Sequence, residues 1–277
     1  MKTIGIISLS NPLNQEKRHL IEKIKEKFKK YEIKIFESKA VYKENTTSPA
    51  FKAEELMNLY KNAEVEMIFD VSGGDLANTV LSHLDFKVIE ENPKPFFGFS
   101  DLSVIMNSIF KKTGRESFWF QLRSIAQDDT DTSLKLLADF ILNKNDALLN
   151  FKYKFLQGNK MTGTVVGGNL RCTLKSAGTE YMPDLKNNLL LIESLGGDIN
   201  KITTYLTQYK LIGAFEECSG VILGTFTELE KTMSESEVCR LILDIIDNKN
   251  LPVIKTSEIG HHCLSKSIAL GRHYTFN

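Results

Sequence analysis

The stretch Pro95-Phe-Phe-Gly-Phe-Ser-Asp-Leu102, followed by Ser-Val-Ile-Met-Asn-Ser-Ile-Phe-Lys-Lys112, decides how the chain is read. An apolar run of strand type stops abruptly at Ser100, and a helix is expected from Asp101 to Lys112. A second joint of the same kind lies upstream, where Glu66-Met-Ile-Phe-Asp-Val71 runs into Ser72-Gly-Gly-Asp75. Strands in an open α/β sheet deliver functional groups at their carboxyl ends, so Ser72–Asp75 and Phe99–Leu102 are candidates to share one site.

Outward from these joints the first half alternates strand and helix patterns. Thr3–Ser8 and Glu32–Phe36 read as strands. Gln15–Lys30 carries Leu20, Ile21, Ile24 and Phe28 at helical spacing, and Ser48-Pro49 is a cap-plus-proline start for a helix to about Asn62. The expected fold class is therefore α/β, with a parallel-sheet N-terminal domain over residues 1–150. From Phe151 the texture changes to glycine-punctuated β-rich runs, such as Met161–Leu170, Asn187–Asp198 and Gly220–Phe226. These predict a smaller β-rich domain over 151–277, partly barrel-like and poor in long helices.

Composition narrows the partners. The 277 residues are 42% hydrophobic, enough for two modest domains, and Lys plus Arg equal Asp plus Glu at 35 each. Zero net charge points away from nucleic acid and anionic membranes and toward a small substrate or a protein partner. The start Met1–Pro12 lacks the long apolar segment of a signal peptide, and no run is long enough to span a bilayer. Cys172, Cys218, Cys239 and Cys263 show neither C-x-x-C nor metal-ligand spacing. Buried free thiols, a cytoplasmic location, no metal and no cofactor are the expectations.

Ser100 has two readings. It caps the following helix, or it is a nucleophile projected from a tight strand-to-helix turn, with Gly98 relieving the close approach and the next N–H helping to form an oxyanion hole. The usual elbow also has glycine two residues on, where this chain has Leu102. Ser72–Asp75 lacks the P-loop and dinucleotide fingerprints, but its glycines leave backbone N–H groups uncluttered. Of five histidines, His261 and His262 follow Gly260 at the end of an apolar run, a place suited to a base, although a solvent-exposed loop pair fits equally. Glu193 ends Asn187-Asn-Leu-Leu-Leu-Ile-Glu193, too apolar a run to leave a carboxylate without a partner, whether that is a histidine or a lysine or arginine.

Taken in order, Thr3–Ser8, Ser72–Asp75, Asn92–Ile105, Val165–Asp184, Leu189–Ser194, Gly220–Phe226, Leu251–His262 and Ile268–Gly271 resemble the LD-carboxypeptidase family of serine peptidases. That family includes muropeptide LD-carboxypeptidases and microcin C immunity-type hydrolases. The resemblance implies Ser100 as nucleophile, His261 as base, Glu193 as the group orienting it, and the N–H groups of Gly74 and Asp101 as the oxyanion hole. It also implies an N-terminal domain like that of class I glutamine amidotransferases, a homodimer, and a small peptide substrate. The substrate would be a murein tetrapeptide cleaved before its terminal D-alanine in cell-wall recycling, or a peptidyl-nucleotide for an immunity-type member. The chain departs from the pattern at Ser117–Gln121, which is bulkier than the family's glycine-proline segment, and at Asp75, where muropeptide members often carry tyrosine. Asp75 matches some immunity-like members, and the altered Ser117–Gln121 segment keeps a catalytically silent binding homologue as a third reading. Arg115, Arg123 and Arg171 are each available for a substrate carboxylate, and spacing selects none of them.

Overall fold

The computed structural model describes residues 2–44 and 48–277. Two six-stranded sheets organise the chain. The first is built from β1 (Lys2–Ile7), β2 (Ile33–Glu37), β3 (Met67–Asp70), β4 (Phe96–Gly98) and β5 (Ser117–Trp119), all parallel. The second holds β6 (Lys154–Gln157), β7 (Met161–Asn169), β8 (Leu189–Ser194), β9 (Gly220–Phe226) and β10 (Val253–Lys255). Near the C-terminus β11 (Ala269–Leu270) returns to the first sheet antiparallel to β5, while β12 (His273–Phe276) pairs antiparallel with β7. The orders are β11-β5-β4-β3-β1-β2 and β12-β7-β8-β9-β10-β6.

The sequence periodicity accounts for the first sheet. Strands β1, β3 and β4 are buried almost throughout, as parallel strands covered on both faces require. The helix Arg18–Lys29 buries Ile21, Ile24 and Phe28 and exposes Glu22, Lys23, Glu26 and Lys29. At Pro49–Lys61 the Ser48 hydroxyl accepts from Phe51 N–H, so the cap-plus-proline start operates as read.

The second half differs from expectation in one respect. It is an open sheet with a parallel centre, β7-β8-β9-β10, and not a barrel. Long helices at Ile199–Leu211 and Glu235–Ile246 cover it. The glycines that suggested a β-only texture serve close packing instead. A Cβ on Gly168 would come within 2.6 Å of the Trp119 ring and 2.7 Å of Ser103 Oγ, so β7 can lie against the first half only with glycine there. One apolar cluster accordingly runs across both halves, from Ile105, Met106 and Trp119 to Val165, Leu191 and Ile222. Among the described residues no helix is long and apolar enough to cross a membrane.

Candidate active site

Both joints singled out in the sequence fall at the carboxyl ends of the first sheet. Gly98 ends β4, and a Cβ there would sit 2.9 Å from Leu102 Cβ and 3.0 Å from Met106 Sδ. That contact is the close approach of strand and helix that the turn demands. Ser100 is held at φ +56, a left-handed conformation that costs a serine about 1–3 kcal/mol. Its hydroxyl does not cap the helix Ser103–Thr113, whose first position follows Leu102 without a side-chain cap. Ser100 is partly exposed and lines a cavity of about 660 Å³, a size suited to a small ligand.

The second sheet brings two groups to the same place. Asn169 and Glu193 stand opposite one another at the ends of the adjacent parallel strands β7 and β8. Glu193 is fully buried, and its carboxylate accepts from Asn169 Nδ2 at 3.0 Å and from His261 Nδ1 at 2.6 Å. Its partner is thus a histidine and not a lysine or arginine. A glycine is needed before the histidine pair, since a Cβ on Gly260 would lie 1.8 Å from Thr225 Oγ1. The two histidines then separate. His262 Nε2 donates to the Ser257 carbonyl at 2.9 Å, whereas His261 packs edge-on against Phe99 at 4.5 Å between ring centroids.

Bonding of Nδ1 to a carboxylate leaves the proton on that nitrogen and makes Nε2 the acceptor. His261 Nε2 is buried with no hydrogen-bond partner among the described residues, and His261 lines the same cavity as Ser100. Such an arrangement can take a proton from a hydroxyl and hold the resulting imidazolium against a buried carboxylate.

Gly74 also lines this cavity, at φ +124, with the Asn11 side chain filling the space a Cβ would need. Asp101 is fully buried just behind Ser100. Its carboxylate accepts from Ser10 Oγ at 2.6 Å, from Ala77 N–H at 2.9 Å and from Lys175 Nζ. Lys175 in turn donates to the Asp75 carbonyl at 2.9 Å. One side chain therefore ties the Ser100 turn to the segment after β1, to the helical turn after the Ser72–Asp75 loop and to the second half of the molecule.

Asp70 lies beneath that loop and accepts from Leu9 N–H at 2.7 Å, Ser72 N–H at 2.6 Å and Ser72 Oγ at 2.5 Å. Burial raises its pKa to about 6 in spite of these bonds and of the Arg123 charge. Burial likewise lowers the pKa of Lys52, whose ammonium donates to the Leu9 carbonyl at 3.3 Å and to the Ser10 carbonyl. Three of the four cysteines are buried, as expected. Cys263 is not, and it borders the cavity. Asn169, Ser10 and Lys175 went unnoticed in the sequence, where only the Gly-Gly-Asn run before a short helix hinted at a capping asparagine.

Comparison with known proteins decides the family. The LD-carboxypeptidase N-terminal domain matches residues 4–119, and the LD-carboxypeptidase C-terminal domain matches residues 162–276. The chain belongs to the LD-carboxypeptidase family. Among curated members, the microcin C7 self-immunity protein MccF of Escherichia coli is 26% identical over 252 residues, covering 79% of this chain and 73% of the relative. The probable murein peptide carboxypeptidase of Bacillus subtilis is 25% identical over 233 residues, covering 80% and 72%. Two solved structures share the fold. MccF in complex with aspartyl sulfamoyl adenosine aligns with TM-score 0.87 at 23% identity over 99% of this chain and 92% of that one. A muramoyltetrapeptide carboxypeptidase from Oxalobacter formigenes aligns with TM-score 0.82 at 19% identity over 99% and 94%.

Proposed function

We propose that this family member is a serine LD-carboxypeptidase that hydrolyses the bond before a terminal D-residue, with Ser100, His261 and Glu193 as its triad. One observation carries the reading. A histidine bonded through Nδ1 to a buried glutamate keeps Nε2 unpartnered, and it borders the cavity lined by a serine held in a strained strand-to-helix turn.

In this mechanism Ser100 Oγ attacks the scissile carbonyl carbon while His261 Nε2 takes the hydroxyl proton. The carbonyl oxygen becomes an oxyanion held by the N–H groups of Gly74 and Asp101, each worth about 3 kcal/mol in the transition state. Collapse breaks the C–N bond, and His261 returns its proton to the leaving amine. Water, deprotonated by the same imidazole, then cleaves the acyl-enzyme and restores Ser100. Glu193 stabilises the imidazolium in both halves, and Asn169 fixes the carboxylate that does so.

The substrate we favour is a murein tetrapeptide, in keeping with the muramoyltetrapeptide and murein peptide carboxypeptidases among the relatives. MccF among the relatives supports a second reading, hydrolysis of an aminoacyl- or peptidyl-nucleotide amide by the same residues. The test is incubation of the protein and its Ser100→Ala variant with a murein tetrapeptide, with free D-alanine followed by mass spectrometry. Release by wild type alone is expected. Release by the variant at a comparable rate would remove Ser100 from the mechanism, and release by neither would turn attention to peptidyl-nucleotides.

A further inference from the structure

We propose that Arg123 is the specificity anchor of this site, holding a free carboxylate on the residue that leaves. The inference rests on the reading of Ser100 and His261 given above and adds a requirement that the triad does not impose. Arg123 follows β5 at the carboxyl end of the first sheet, lines the same cavity and is partly buried.

Its guanidinium is placed but not neutralised. Nη2 donates to the Ser72 carbonyl at 3.4 Å, and Gln121 Nε2 donates to that same carbonyl at 3.1 Å. Gln121 Oε1 accepts from Arg123 N–H at 3.2 Å, so the backbone beneath the arginine is fixed as well. Nε is buried and has no partner among the described residues. Among the described residues no carboxylate forms an ion pair with Arg123, whereas Arg171 is paired with Asp75 and Arg272 with Glu116. The acid whose charge Arg123 feels is Asp70, but its carboxylate is bonded to Leu9 N–H and to Ser72 and forms no ion pair with the guanidinium. Among the described residues no aspartate or glutamate lines the cavity, and its second cation, Lys17, is exposed at the rim. A partly dehydrated guanidinium with unused donors gains most from a bidentate carboxylate.

The position suits the leaving side. Arg123 Nη2 lies 3.7 Å from where a Cβ on Gly73 would stand, one residue before the Gly74 N–H assigned to the oxyanion. In a peptide ending at the departing residue, the carboxylate carbon is two bonds beyond the scissile nitrogen. Two bonds at the backbone angle span about 2.5 Å, so the carboxylate must be met within about one residue of the oxyanion site, where Arg123 stands beside Gly73. The other arginines do not qualify. Arg171 is engaged by Asp75, and exposed Arg115 follows the far end of a helix about 16 Å long that starts beside Ser100.

The test compares a murein tetrapeptide with the same peptide carrying a C-terminal carboxamide, for wild type, Arg123→Lys and Arg123→Gln. Wild type is expected to favour the free acid in kcat/KM by roughly 100-fold. Arg123→Gln should lose that preference, chiefly through KM and with little change for the amide, and Arg123→Lys should recover part of it. Equal cleavage of acid and amide by wild type, or equal losses on both in Arg123→Gln, overturns the proposal. Calorimetric binding of the two peptides to Ser100→Ala and to Ser100→Ala/Arg123→Gln separates the anchor from the triad. Carboxylate selectivity that vanishes with Arg123 sustains the anchor even if wild type turns over neither peptide, an outcome that would sink the proposed reaction alone. Absence of that selectivity rejects the anchor.

Discussion

Asn107 offers the sharpest test of how the two halves of the site are held in register. Along the edge of β7 that faces away from β8, backbone N–H groups point outward at every second residue. Val165 N–H donates to the Arg272 carbonyl at 2.9 Å, beside the pairing with β12. Beyond that point helix side chains continue the ladder: Gly167 N–H donates to Asn107 Oδ1 at 2.9 Å, and Asn169 N–H donates to Ser103 Oγ at 2.9 Å. Asn107 Nδ2 completes the mimicry by donating to the Gly167 carbonyl at 2.7 Å. Asn107→Leu keeps roughly the volume of a fully buried side chain but orphans one N–H and one C=O of Gly167. At about 1–3 kcal/mol for each buried unsatisfied group, the expected loss is about 2–6 kcal/mol. Activity should also fall, by as much as about 100-fold, because the end of β7 positions Asn169, and through it Glu193 and His261, relative to Ser100. Urea unfolding followed by circular dichroism measures the first, and D-alanine release well below the transition measures the second. Ser108→Ala serves as control, since that hydroxyl donates only to Val104 in its own helix. A loss for Asn107→Leu no larger than the control's, with unchanged turnover, would refute the idea that helix side chains complete this sheet edge.

The other predictions are briefer. Asp70 titrates at about 6 in the fold against 3.8 when exposed, so the native state binds the extra proton and stability should fall by about 2 kcal/mol as pH rises from 4 to 7. Asp70→Asn should remove that component, and parallel stability-versus-pH curves for the two proteins would refute the assignment. Lys175→Met leaves the buried Asp101 carboxylate without its cation and should cost about 3–5 kcal/mol by urea unfolding; a change below about 0.5 kcal/mol would mean that the pair holds nothing together. Ser100→Ala should lower kcat on the order of 10⁶-fold with stability within about 0.5 kcal/mol of wild type. EDTA should leave turnover unchanged in a serine mechanism, and loss of activity that zinc restores would require withdrawing it.

What could be read in the sequence was what is local to it. The Ser72–Asp75 and Phe99–Leu102 joints were visible because each strand, turn and helix is contiguous, and the need for Gly98 follows from one turn's sterics. The helices of the second half were missed although their signals are local too. Ser234 and Glu237 form a capping box, and Ile202, Leu206 and Tyr209 make a buried stripe. Abundant glycine and β-branched residues masked both. Non-local pairs left no such trace. Nothing near Asn107 indicates that it stands in for a strand 60 residues later, and nothing near Asp101 points to Lys175.

The non-local pairs bear on why a site divided between two sheets works as one. Ser100 sits in a conformation that a serine leaves unless its surroundings hold it. On one side Asp101 clamps the turn to Ser10, Ala77 and Lys175; on the other, Ser103 and Asn107 of the following helix bind β7, whose end carries Asn169 against Glu193. The segment that presents the Ser100 hydroxyl is therefore the segment on which the proposed base, His261, and its partner Glu193 are registered. The helix Ser103–Thr113 thus bears on both sides of the site at once, through the turn that precedes it and through the end of β7 that it bonds.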